Sequence, residues 1–468
     1  MGFLTHRSLM LDTITPIALY HKLQTHFTNK RVLLFESGEN GSFSYVFVGA
    51  RERLWHEQGK SFYQEGGSIN YVDENPLNFL KRRFALLDQG SYRELAGEIG
   101  VGFVDGFVGF VGFDAVKLFE PTLKKSLDKL RDVTKTPDFD LLRPQYIFAY
   151  SHKNHKLTAL STLENSLATL DEAIAAVVKP LGELPLVKIN QLGSGSFELS
   201  RELFIEKVVK VKEEIRNGEI FQMLLANRYI QNAAIDPFSL YRVLRSKNPS
   251  PYQFYLPYER FCIVGCSPEL MVGLHNGQIL LSPIAGTRKR GTDAIEDIAL
   301  EKELLADEKE RAEHIMLVDL GRNDVGRAAK AGSVRVENLM HIERFSHVMH
   351  IVSDVYGELD ANKDMFDLFM ATFSAGTMTG APKIRAMELI AQYEGSKRGF
   401  YSGAITLFGF TGDMDSAIAI RSAQIEDKRA IFHAGAGIVA DSVPENEWLE
   451  VQNKMAALTS SLNDLLVV

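Results

Sequence analysis

The sequence predicts an α+β protein, and three observations carry that assignment. The first 190 residues hold short alternating or apolar runs of the kind that form strands. A long amphipathic stretch, Ser200 to Asn217, follows them with the period of a helix. Beyond it, strand-like and helix-like segments alternate too irregularly for a doubly wound sheet, and no dinucleotide fingerprint opens any of them. At 468 residues the chain exceeds the size at which one core stops growing, so two domains or one composite sandwich is expected.

Taken in order, Arg31 to Phe35, Ser44 to Val48 and Tyr146 to Tyr150 read as strands. The segment Gly102 to Val116, GFVDGFVGFVGFDAV, sets glycine every few residues among aromatics, which suits closely approaching strands or a bulged turn. No GxxxxGK[ST] follows, so it is not a phosphate loop. Pro180 to Glu198, with Pro180, Pro185, Gly193 and Gly195, reads as a linker. It divides a β-rich part, residues 1–190, from a second part, residues 191–468. The helix after it stops at Asn217, with Gly218 in the C′ position.

A hydrophobic fraction of 45% and a charged fraction of 24% are ordinary globular values. The net charge of -8 gives no reason to expect nucleic acid or an anionic membrane surface, both of which select for clustered Lys and Arg. No apolar run approaches the ~18 residues of a membrane span, and the opening MGFLTHRS has neither a signal-peptide nor a myristoylation pattern. Cys262 and Cys266 have no further cysteine partners, which argues against zinc and for reduced core thiols in a cytoplasmic protein.

Two segments place carboxylates along one helical face by spacing alone. Glu310 and Glu313 are three apart, and Glu447, Glu450 and Lys454 follow i, i+3, i+7. Ser442 with Glu445 matches a capping box, and Pro444 falls in the first turn. Spacing leaves two readings open. Both faces are solvated, as most charge-rich helices are, or they face one another and supply the few carboxylates that Mg2+ takes alongside water and substrate oxygens.

From about Ser200 to Lys454 nine segments, in order, resemble the chorismate-binding enzymes. They are NGEIFQMLLANR, CSPELMV, SPIAGTRKRG, ERAEHIMLVDLGRND, ERFSHVMHIVS, FSAGTMTGAPKIRAME, SAIAIR, HAGAGIVADS and ENEWLEVQNK. LLFES from Leu33, GFVGFVGFDAV and NPSPYQFYL from Asn248 extend the likeness to the anthranilate synthase large subunits. The chain departs from the commonest patterns at Phe35, Ser374 and Gly321, none of which touches the implied chemistry.

The resemblance implies a large two-part β-sandwich with outer helices, and a Mg2+-dependent lyase. Glu313 and Glu450 stand at the family's metal carboxylates, with Glu310 and Glu447 beside them. Tyr401 and Arg421 resemble the holders of the enolpyruvyl carboxylate, a task suited to the planar Arg fork. Gly435 and Gly437 let backbone N–H groups approach an anion, and Lys454, Thr287, Ala285, Gly286 and Thr377 complete the pocket. Glu269 resembles the acid that helps the C4 hydroxyl leave, and His350 the base that takes the C2 proton, with His347 as an alternative.

Two positions bear on the nucleophile. Where water-using relatives carry a lysine stands Gln222, and a neutral amide is no general base. Where aminodeoxychorismate synthases commonly carry a nucleophilic lysine stands Ala285. Ammonia remains, giving anthranilate, with a product stopped at aminodeoxyisochorismate or aminodeoxychorismate as the alternatives. Neither cysteine lies in a nucleophile elbow, so a separate glutamine amidotransferase subunit is implied. The resemblance also implies a tryptophan effector site in the first part, made by Glu36 and Ser37 with Asn248, Pro249, Ser250 and Tyr252.

Overall fold

The protein is described by a computed structural model covering residues 4–38, 42–345 and 348–467. Two twelve-stranded sheets dominate it. In one, the order runs from Thr5–Met10 through Phe43–Val48 and Val32–Ser37 to Tyr252–Pro257, Cys262–Ser267, Ser422–Glu426, Arg429–Ile438 and Gln222–Asn232. The other runs from Ile284–Lys289 through Val348–Glu358 and Leu270–His275 to Met414–Ile418, Ala404–Gly409, Gly106–Val111 and Phe139–Arg143, ending at Ser68–Val72. These ladders are antiparallel. The expected α+β sandwich is what the chain forms.

The predicted boundary at 190 divides the sequence, whereas both sheets run across it. Val32–Ser37 pairs with Tyr252–Pro257, and Gly106–Val111 pairs with Ala404–Gly409. Pairing satisfies backbone groups that an edge would expose, and the nearest partner in space is hundreds of residues away in the chain. Residues 180–194 are irregular apart from a bridge between Ile189 and Leu466. The last part of the expected linker is ordered instead as Gly195–Phe197, which pairs with Tyr229 to Gln231.

The glycine-rich segment is a strand under close approach. Gly106 and Gly109 have φ of 149° and 153°, and a Cβ would stand 2.1 Å from the Phe408 carbonyl oxygen or 2.0 Å from that of Asp140. A side chain at either position would force the sheet apart.

The helix Arg201–Arg216 is capped by Ser200, whose hydroxyl accepts from Leu203 N–H, and Gly218 follows its end at φ 80°. It buries Phe204, Val208 and Val211, with Phe204 against Trp448 of the helix Pro444–Asn463 at a ring separation of 5.6 Å. That second helix lacks the expected capping box. Val443 is its N-cap and Ser442 Oγ accepts from Val439 N–H at 3.0 Å, while Pro444 does open the first turn. Cys262 and Cys266 are free and buried, and burial pushes both thiols up. No helix among the described residues is long and apolar enough to cross a membrane.

Candidate active site

The central ladder of the site joins Ile284–Lys289 to Val348–Glu358 and sets Thr287 opposite His350. The register shifts between Ala285 and Thr287, where Gly286 sits at φ 69°. That bulge turns the Gly286 carbonyl toward His350 Nδ1 at 2.9 Å, with Thr287 Oγ1 at 3.0 Å. A carbonyl only accepts, so Nδ1 carries the proton and Nε2 keeps its lone pair. Burial holds this imidazole down to about 4, which keeps it neutral. His347 lies outside the described residues.

Glu269 occupies the crossing between Cys262–Ser267 of one sheet and Leu270–His275 of the other. Thr377 Oγ1 donates to its Oε1 at 2.8 Å. Burial nevertheless pushes its carboxyl up to about 8, so it is protonated at neutral pH. Arg421 occupies a second crossing, between Met414–Ile418 and Ser422–Glu426, at φ 50°. Its guanidinium is desolvated, forms no ion pair among the described residues, and has the Tyr401 phenol as its charge neighbour. Tyr401 is buried, and its phenol is pushed up to about 12 by that burial.

Gln222 opens the strand Gln222–Asn232 and donates through Nε2 to Glu313 Oε1 at 2.9 Å, while its buried Oε1 has no partner among the described residues. Gly437 belongs beside it, because a Cβ there would meet Gln222 Nε2 at 2.8 Å. Gly435 offers its carbonyl rather than its N–H group, accepting from Lys454 Nζ at 3.0 Å. Lys454 also pairs with Glu450 at 2.6 Å.

Glu310 and Glu313 lie on the helix Glu308–Gly326, and Glu447 and Glu450 on Pro444–Asn463. Glu313 is pushed up to about 6, first by burial and then by the charges of Glu310 and Glu450. Glu310 and Glu447 are raised too, both chiefly by burial. Arg288 Nη1 approaches Glu310 at 3.6 Å. No three His, Cys, Asp or Glu side chains among the described residues form a ready ligand cluster. The donor set still suits Mg2+: carboxylates from two helices repel one another, and a hard cation that keeps its waters needs only a few.

Beneath these residues lies a polar network that spacing did not reveal. Arg398 donates to Glu394, Met378 O and Leu224 O, and Arg228 donates to His433, Glu198 and the Lys397 carbonyl. The only sequence signal was His433 heading the HAGAG segment, a ring in a run of small residues.

The expected effector residues divide. Ser37 pairs in register with Tyr252, and both line a cavity of about 120 Å3 with Phe35, Tyr45, Phe254 and Asp415. Glu36 reaches that cavity too, but its carboxylate is taken by Arg245 and by the Tyr241 hydroxyl at 2.9 Å, so it is not the free partner an ammonium needs. Among the described residues, the Asp415 carboxylate meets His275 at 3.1 Å and no arginine or lysine. Pro249 lines a neighbouring groove, while Asn248 and Ser250 bond within their own turn.

This arrangement, with carboxylates on two outer helices, a buried histidine in the central ladder and Glu269 and Arg421 at the sheet crossings, is that of a chorismate-utilising enzyme. Residues 30–460 match the chorismate binding enzyme family, and the chain belongs to it. Within that family it is 40% identical over 474 residues to anthranilate synthase component 1 of Aquifex aeolicus (strain VF5), covering 98% of this chain and 94% of that one. The crystal structure of anthranilate synthase component I from Streptococcus pneumoniae TIGR4 superposes with a TM-score of 0.76 at 33% identity, covering 91% of this chain and 93% of that one. The menaquinone-specific isochorismate synthase of Escherichia coli shares the fold, with a TM-score of 0.74 at 19% identity over 98% of this chain and 95% of that one.

Proposed function

We propose that this protein is the chorismate-using subunit of an anthranilate synthase, converting chorismate and ammonia to anthranilate, pyruvate and water. One observation carries the reading. His350 commits Nδ1–H to Gly286 and keeps Nε2 as a base, in a site where neither Gln222 nor Ala285 can act as a base or an amine nucleophile.

In this reading Arg421 and Tyr401 hold the enolpyruvyl carboxylate, and neutral Glu269 gives its proton to the departing C4 hydroxyl. Ammonia adds at C2, where the unpartnered Oε1 of Gln222 is available to accept from the entering amine. His350 Nε2 then takes the C2 proton, the enolpyruvyl group leaves as pyruvate, and the ring becomes aromatic. Glu313 and Glu450, with Glu310 and Glu447, would hold Mg2+, which when bound neutralises charge on the ring carboxylate.

Both cysteines are buried with raised thiols and neither serves as an amidotransferase nucleophile, so ammonia comes from a separate glutaminase subunit or from solution. Such reduced thiols suit the cytoplasm. Tryptophan, the end product of the route, is the proposed effector at the cavity of Ser37 and Tyr252. The test of the function is direct: protein, chorismate, Mg2+ and ammonium should yield anthranilate fluorescence. Non-aromatic aminodeoxyisochorismate or aminodeoxychorismate, or isochorismate, would replace this assignment with another.

A further inference from the structure

His433 stands opposite Arg228 in the ladder between Arg429–Ile438 and Gln222–Asn232. Arg228 Nε donates to His433 Nε2 at 2.8 Å, so the imidazole is neutral and carries its proton on Nδ1. Arg228 is itself fixed by Glu198 and the Lys397 carbonyl. The His433 ring lies under Tyr401 with centroids 4.9 Å apart and planes 11° from parallel. Arg398 approaches the same phenol at 6.0 Å from its centroid.

His433 Nδ1 is buried with no partner among the described residues. Leaving a buried donor unpaired is costly, and a phenylalanine would fill the space without that cost. What a phenylalanine would not supply is an acceptor for Arg228 Nε. The imidazole is therefore the one ring that both satisfies Arg228 and presents a flat face to Tyr401.

We propose that His433 is a positioning residue: it is the platform, locked by Arg228, that sets the plane of Tyr401 and so aims its hydroxyl at the substrate's enolpyruvyl carboxylate. The inference rests on the assignment of Tyr401 made above. Its signature is a weaker grip on chorismate with turnover preserved, because the acid and base are untouched.

The experiment is a double-mutant cycle on the whole protein with chorismate, Mg2+ and ammonium. His433→Phe and Tyr401→Phe should each raise KM for chorismate roughly tenfold, by loss of one well-aimed hydrogen bond to a charged group, with kcat within about twofold. The double variant should be no worse than Tyr401→Phe alone. His433→Gln keeps an acceptor for Arg228 and guards against misfolding. It should melt near the parent temperature yet show the raised KM. A parental KM in His433→Gln, or effects that multiply in the double variant, would overturn the proposal. A parent protein that makes no anthranilate overturns the functional reading and this inference together, whereas an active parent with silent His433 variants overturns the inference alone.

Discussion

Thr287 Oγ1 and His350 Nδ1 meet at 3.0 Å across the ladder that carries the proposed base, and the Gly286 carbonyl closes the same nitrogen at 2.9 Å. The proton on Nδ1 is therefore fixed, and Nε2 is the only basic atom left. His350→Ala should cut anthranilate formation by about 10²–10⁴. Ammonia addition needs no proton from C2, so aminodeoxyisochorismate should accumulate, which chromatography of the reaction mixture reads. Only unreacted chorismate, or anthranilate at the parental rate, removes the role from His350. Because the imidazole is held down to about 4, its base form persists as pH falls, and it should impose no loss of kcat between pH 6 and pH 8.

Glu269 sets the other limb of the profile. Its carboxyl, raised to about 8 by burial, acts only when protonated, so the sign is fixed: activity holds below pH 8 and declines above it. Glu269→Gln keeps the shape but has no proton to give, and kcat should fall by about 10²–10⁴. A pH–rate profile of the parent that stays flat to pH 10 would contradict the acid assignment.

Much of this was legible in the sequence, for a local reason. Val32–Ser37, Phe43–Val48 and Tyr146–Ser151 announce themselves by residue pattern, and Ser200 and Gly218 mark the helix between them by cap chemistry. What escaped depends on partners far along the chain. Glu36 was placed in the effector site by resemblance, and its engagement by Arg245, 209 residues away, is written in no local pattern. Ser442 fitted a capping box by spacing, yet the turn at Val439 claims its hydroxyl. The sheets run across the division at 190 because strand pairing is chosen in space, and no local period encodes the pairing of Phe107 with Phe408.

The four carboxylates give a metal prediction that the raised Glu313 sharpens. Burial and the neighbouring charges of Glu310 and Glu450 hold its carboxyl at about 6, so a cation must compete with protons there below that pH. The Mg2+ requirement should accordingly rise as pH falls from 7 to 5. Glu313→Gln or Glu450→Gln should lower activity at limiting Mg2+ by roughly a hundredfold or more, with melting temperatures at or above that of the parent, since a repelling charge has gone. Full activity of both variants at limiting Mg2+ would remove the carboxylates from the metal site.

Tryptophan should inhibit by binding at the cavity that Ser37 and Tyr252 share, away from chorismate. Phe35, Tyr45 and Phe254 give that cavity an aromatic lining suited to an indole, and Asp415 supplies a carboxylate that no arginine among the described residues has claimed. Glu36 also lines that cavity, but its carboxylate is locked to Arg245 and Tyr241. Ser37→Phe would fill a space of about 120 Å3 that the indole needs. Coupling between two sites is reciprocal, so chorismate should weaken tryptophan binding by the factor with which tryptophan weakens chorismate binding, typically 5–150-fold, or about 1–3 kcal/mol. Calorimetry of tryptophan with the parent and Ser37→Phe proteins, each with and without chorismate, measures both effects. The parent should bind and lose affinity when chorismate is present, and Ser37→Phe should not bind in either titration. Equal affinity in all four would rule out both the site and the coupling.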